Sequence, residues 1–190
     1  MNKQEKKKGE TFESNNELFE VLITRRRVQE RIKKLAEQIE RDYKRKGLTV
    51  VGVLTGASIF MSDLVRQMSN LDLQIEYMGV SSYGMNHQSN RQPKIEKDLK
   101  EPITGKNVLL VEDMADTGYS LKALLELLEA RRPMSLKTCV LLSKPSRREV
   151  EVPIDYLGFT IPNVWVVGMG MDDGGRLRQL PFVAFKRDDL

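Results

Sequence analysis

The stretch NVLLVEDMADTGYS, Asn107 to Ser120, decides the reading of the fold. An apolar run from Val108 to Val111 leads into two adjacent carboxylates, Glu112 and Asp113, with a third at Asp116 and then Thr117, Gly118, Tyr119 and Ser120. The run predicts a buried strand that stops at Glu112 and Asp113. A helical pattern, predicted over Leu121 to Ala130, follows the turn. Ionised carboxylates are costly to bury, so three acids in five residues at the end of a core strand call for a ligand. The carboxyl end of a strand entering a helix N-terminus is also where open α/β sheets bind anions.

Working outward, other segments repeat the strand-to-helix pattern. Thr49 to Leu54 is a nearly continuous apolar strand, ended by Thr55-Gly56-Ala57-Ser58, with a helix predicted over Ile59 to Met68. Strands are expected at Leu73–Val80, Lys94–Leu99, Ser135–Leu142, Tyr156–Phe159 and Val164–Val167, with Leu18–Thr24 a short strand or extended arm. Val28, Ile32, Leu35 and Ile39 recur at helical spacing within a predicted helix Arg25–Lys46, stopped by Gly47. Ser81 to Pro93 is polar and aperiodic, long enough to suggest a lid rather than a plain connection. Strands alternating with helices imply an α/β protein with a mainly parallel twisted sheet flanked by helices. Residues 1–10 read as a disordered, charged tail, and no linker divides the remainder.

The 190 residues carry a net charge of +4, with one cysteine, Cys139, and one histidine, His87. No intrachain disulfide and no Cys/His zinc cluster can be built from these. The basic runs lack interleaved aromatics, so the charge points to a solvated surface or an anionic small molecule, with no nucleic-acid partner. No apolar run approaches the roughly 18 residues of a membrane span, and the polar N-terminus does not read as a signal peptide. The expected setting is cytoplasmic, with no membrane partner.

Common nucleotide motifs are missing. There is no G-x-x-x-x-G-K-[ST] and no G-x-G-x-x-G after the first strand; Gly168-Met-Gly170 comes near the other end of the chain, with Asp173 where the third glycine would fall. What the Asp116–Ser120 turn does offer is several backbone N–H groups and two hydroxyls at a helix N-terminus, a cradle for a phosphate monoester. Acids beside such a cradle make sense if the ligand also carries vicinal hydroxyls, as ribose does, or a bound Mg²⁺.

Val111 to Ser120 resembles the phosphoribosyl-pyrophosphate (PRPP) signature of type I phosphoribosyltransferases, and within them is most similar to the hypoxanthine-guanine enzymes. The resemblance runs from about Glu20 to Phe185. Leu54-Thr55-Gly56-Ala57 falls at the family's pyrophosphate loop, Ser82-Tyr83-Gly84 at its catalytic loop, and Lys144 at its base-reading lysine. Trp165-Val166-Val167-Gly168, Asp172 and Arg178 match its C-terminal purine, metal and pyrophosphate positions.

The resemblance implies one phosphoribosyltransferase domain over 11–190, with a hood from about 11–24 and 155–190. It implies purine salvage: transfer of 5-phosphoribosyl from PRPP to hypoxanthine or guanine, giving IMP or GMP and pyrophosphate, with Mg²⁺. In this picture Glu112, Asp113, Ala115, Asp116, Thr117, Gly118, Tyr119, Ser120, Thr55, Gly56 and Arg178 bind PRPP. Asp116 is the general base, and Ser82 and Tyr83 close over the site. Lys144, Trp165, Val166 and Asp172 bind the purine, while Asp172, Glu112 and Asp113 hold the metal. A homodimer or homotetramer is implied. The alternative is a non-catalytic PRPP or nucleotide sensor on the same fold. The chain departs from the family pattern at Thr55, where a basic residue is common, and at Ala115, Tyr119, Asp173 and Gly174-Gly175.

Overall fold

The computed structural model describes residues 10–69, 71–81 and 94–187. Residues 1–9 of the expected tail and 82–93 of the expected lid, Ser82 and Tyr83 included, lie outside the described residues.

Six strands form the main sheet: β3 (Leu48–Leu54), β4 (Leu73–Ser81), β5 (Lys94–Lys97), β6 (Asn107–Ala115), β7 (Ser135–Ser143) and β8 (Tyr156–Thr160). Their order is β5-β4-β3-β6-β7-β8, parallel throughout except for β5 at the edge. Helices cover both faces, as the alternation of elements predicts. On one face α1 (Arg25–Asp42) and α2 (Ala57–Val65) pack Val28, Ile32, Leu35, Ile39, Phe60 and Leu64 against Val50, Leu109, Val111 and Leu141. On the other, α3 (Tyr119–Glu129) packs Leu121, Leu124, Leu125 and Leu128 against Val51, Val108, Leu110 and Val140. The central strands are apolar on both sides because both sides are covered.

A second, four-stranded sheet joins the two ends of the described chain: β1 (Thr11–Ser14), β2 (Glu17–Ile23), β10 (Val183–Lys186) and β9 (Val166–Val167), in that order. β1 was not expected. Asn15 and Asn16 have φ of 53° and 61°, the left-handed conformation that closes a two-residue hairpin, which pairs Ser14 with Glu17. Phe12 stacks on Phe19 at 5.3 Å and meets Phe182 edge-on.

Four boundaries correct the sequence reading. β6 does not stop at Glu112. It runs on to Ala115, because β7 continues beside it and pairs Glu112 with Val140 and Ala115 with Ser143. Its pairing with β3 ends at Gly52 and Val111, so the acidic end of β6 has a strand on one side only. α1 ends at Asp42, four residues before the predicted stop, where the Tyr43 N–H caps Ile39 O and Tyr43 turns into the core. α2 begins at Ala57, nearer to the glycine turn, and ends at Val65. β9 shrinks to Val166 and Val167, the two residues that face β10. No helix among the described residues is long and apolar enough to cross a membrane.

Candidate active site

Three turns meet at the carboxyl ends of the parallel strands, where open α/β sheets place their ligands. The β3–α2 turn carries Thr55 and Gly56, and its Leu54–Thr55 peptide is cis. The β6–α3 turn carries Asp116 to Gly118. The turn after β7 carries Lys144 and a short 3-10 helix, Pro145–Arg147. The β9–β10 connection closes over them from the small sheet.

Between these segments lies a cavity of about 280 Å³ whose wall includes Asp113, Asp116, Lys144, Trp165, Val166 and Asp172. Six residues singled out in the sequence, spread over sixty positions, thus meet around one space. Trp165 is 57% exposed despite its apolar neighbours, while Lys144 is only 4% exposed. Glu112, Ala115, Thr117, Gly118, Tyr119, Ser120, Thr55, Gly56 and Arg178 are not on that wall. Glu112 and Ala115 lie on β6, Tyr119 and Ser120 open α3, Arg178 lies in the β9–β10 connection, and the others form the turns between.

The two adjacent acids of β6 differ by the pleat, which sends neighbouring side chains to opposite faces. Burial raises the pKa of Glu112 well above the usual carboxylate range, and the neighbouring Asp113 charge raises it further. Burial raises that of Asp113 too, opposed by the Met114 N–H donating to its Oδ1 at 2.8 Å and by the Arg178 charge.

The β6–α3 turn is gripped from below. Gly118 has φ of +98°, and a Cβ there would stand 2.3 Å from Val150 O, so only glycine fits. Thr117 O accepts from the N–H groups of both Glu149 and Val150, and Ala115 O from the Lys144 N–H. α3 starts at Tyr119, and its N-cap, Gly118, supplies no side-chain cap.

Asp172 and Arg178 form an ion pair at 2.7 Å. Arg178 also donates to Gly170 O, and the Gly175 N–H donates to Asp172 Oδ2, both at 2.6 Å. Gly174 and Gly175, departures from the family pattern, have φ of 56° and 83° and make the turn that brings this N–H back. Gly170 lies directly on the β3–α2 turn: a Cβ on it would meet Gly56 O at 1.8 Å.

Among the described residues no three Asp, Glu, His or Cys side chains gather around one point. The donor set is nonetheless all carboxylate, which suits Mg²⁺, an ion usually held by one or two carboxylates with waters and substrate phosphates completing its shell.

Sequence reasoning missed Arg147, whose Nε donates to Asp116 Oδ1 at 3.3 Å from the cavity wall, and Arg148, which holds Ala115 O. It also missed Asn163 and Met171 on that wall. The available signal was the pair of arginines three and four residues after Lys144.

Comparison with known proteins agrees with this geometry. The family model for the phosphoribosyl transferase domain matches residues 22–174. The hypoxanthine phosphoribosyltransferase of Haemophilus influenzae is 48% identical over 86% of this chain and 93% of its own. The hypoxanthine-guanine phosphoribosyltransferase of Dictyostelium discoideum is 43% identical over 90% of this chain and 96% of its own. A crystal structure of a hypoxanthine-guanine phosphoribosyltransferase from Bacillus anthracis, with HEPES in its active site, superposes with a TM-score of 0.83 at 41% identity, covering 87% of this chain and 97% of that one. With a parallel sheet whose strand ends carry the acidic turn, and with the match spanning both, the chain belongs to the phosphoribosyl transferase family.

Proposed function

We propose that the chain transfers the 5-phosphoribosyl group of PRPP to hypoxanthine or guanine, releasing pyrophosphate and forming IMP or GMP for purine salvage. The observation that carries this reading is the convergence of Asp113, Asp116, Lys144, Trp165, Val166 and Asp172 on one cavity beside an open helix N-terminus.

The 5-phosphate sits on the turn Asp116–Ser120, bound by backbone N–H groups and the Thr117 and Ser120 hydroxyls. Glu112 and Asp113 take the ribose hydroxyls. Charge from these acids also favours the oxocarbenium-like carbon that develops as pyrophosphate leaves. Trp165 stacks on the purine, the Val166 carbonyl reads the edge near the 2-position, and Lys144 donates to O6. An ammonium has donors only, so it selects a 6-oxo base over a 6-amino base. Asp116 accepts the proton from purine N7. Thr55, Gly56 and Arg178 face the pyrophosphate, and Ser82 and Tyr83 close the site against water. Asp172, with Glu112 and Asp113, would hold Mg²⁺, which neutralises charge on the leaving pyrophosphate. The hood of residues 11–24 and 155–190, a homodimer or homotetramer, and a cytoplasmic setting with Cys139 buried as a free thiol complete the proposal.

The test is an absorbance assay with PRPP, Mg²⁺ and each 6-oxopurine. Nucleotide formation is expected with hypoxanthine or guanine and not with adenine. A flat trace with hypoxanthine, guanine and xanthine sinks the enzyme; tight PRPP or nucleotide binding with a flat trace would identify a sensor.

A further inference from the structure

Arg148 lies beneath the β6–α3 turn. Its Nη2 donates to Ala115 O at 3.1 Å and to Ser143 Oγ at 2.9 Å, tying the ends of β6 and β7 together. Its side-chain Cδ is 3.2 Å from where a Cβ of Gly118 would stand, so the stem runs under the turn. The backbone that follows, at Glu149 and Val150, donates to Thr117 O.

The other guanidinium nitrogen is unusual. Nη1 is buried and has no hydrogen-bond partner among the described residues. No carboxylate of the described residues is paired with Arg148 either; the ion pairs on this side of the molecule are Arg147 with Asp116 and Arg178 with Asp172. A buried cation without a counter-charge costs free energy unless an anion compensates it. Arginine stays charged at any pH the protein meets, so it cannot escape by losing a proton. The open first turn of α3 lies just above, and that is where the proposed reading places a doubly charged phosphate.

We infer that Arg148 is a positioning residue for the phosphate turn: it fixes the turn through Ala115 O and Ser143, and its charge is balanced by the 5-phosphate when the ligand binds. The inference rests on the assignment of that turn to the phosphoribosyl group. It separates Arg148 from Arg178 and Asp172, which serve the pyrophosphate side.

Two variants divide charge from shape. Arg148→Gln keeps a donor for Ala115 O and removes the charge; Arg148→Lys keeps the charge and loses the fork. The readout is the ratio of dissociation constants for inosine and inosine 5-monophosphate, followed by Trp165 fluorescence, with far-UV circular dichroism to confirm the fold. Arg148→Gln is expected to shrink this ratio about 10-fold, equivalent to about 1.4 kcal/mol, with inosine affinity little changed. Arg148→Lys is expected to keep the ratio within about 3-fold of wild type. An unchanged ratio in Arg148→Gln overturns the inference, as does a loss of inosine and nucleotide binding in parallel. If Arg148→Gln does not fold, a large loss of the ratio in folded Arg148→Lys overturns it, and a retained ratio supports it. Wild-type protein that binds neither ligand nor PRPP would instead refute the proposed function, before any variant is compared.

Discussion

Gly56 and Asp113 are so close that a Cβ on Gly56 would stand 2.0 Å from Asp113 Oδ2. The β3–α2 turn and the Asp113 side chain therefore hold each other in place. Gly56→Ala must push one of them aside. A displacement near 1 Å in a catalytic site can lower turnover about 10²-fold, and overpacking commonly costs ~1–3 kcal/mol. Steady-state kinetics and thermal melting check both.

Of the carboxylates that the described residues place on the cavity wall, Asp116 is the one in the β6–α3 turn. Asp116→Asn keeps the shape and removes the base. Turnover is expected to fall by ~10²–10⁴, with PRPP affinity nearly unchanged. Single-turnover measurements separate the two, and undiminished turnover removes Asp116 from that role.

Arg147 touches Asp116 from a half-exposed position. Pairs of this kind are worth under ~1 kcal/mol and are screened by salt. Arg147→Ala should change kcat less than about 5-fold, and the change should fade at high ionic strength.

Lys144 is buried at the cavity wall. A hydrogen bond from a charged group is worth ~1.5–3 kcal/mol, so Lys144→Gln should lower kcat/KM for hypoxanthine by about 10–100-fold. The narrowing of the gap between hypoxanthine and adenine is the measurement of interest.

Glu112 has its pKa raised by burial and by Asp113, from an ordinary value of 4.5. The folded chain then holds the proton more tightly than the unfolded chain. The stability so contributed is complete below the ordinary value and is lost as pH rises through the folded one. Glu112→Gln should therefore gain on the ligand-free wild type as pH rises. The gain is read as a melting-temperature difference between variant and wild type that widens with pH. Activity should fall in the same variant, since the ribose contact is lost. A melting difference that does not grow with pH removes burial of the charge as the cause.

The parts of the fold that could be read from residues alone are those where one physical cause dominates. β3, β6 and β7 are apolar runs because both faces of the sheet are covered, and α1 announced itself through Val28, Ile32, Leu35 and Ile39, all of them buried. The far end of β6 was not legible. Its strand conformation past Val111 comes from β7 alongside, which no local pattern reports. β9 was overextended because Val164 and Trp165 continue an apolar run; only the pairing with β10 shows where the strand begins. Within the site, the acidic turn was legible from chemistry. Trp165 was not, since a tryptophan among valines reads equally as core. Gly170 drew notice only as a failed dinucleotide motif, whereas its φ of +106° lets it lie against Gly56 O of the β3–α2 turn.

The small sheet pairs β2 with β10, strands from opposite ends of the described chain. Protein synthesis runs from the amino end, so β2 waits for its partner until residue 186 has left the ribosome. The large sheet needs nothing beyond Thr160. The residues up to Thr160 include every strand of that layer and the acidic turn, but not Trp165, Asp172 or Arg178. The segment that carries Trp165, Asp172 and Arg178 thus follows the acidic turn in the order of synthesis.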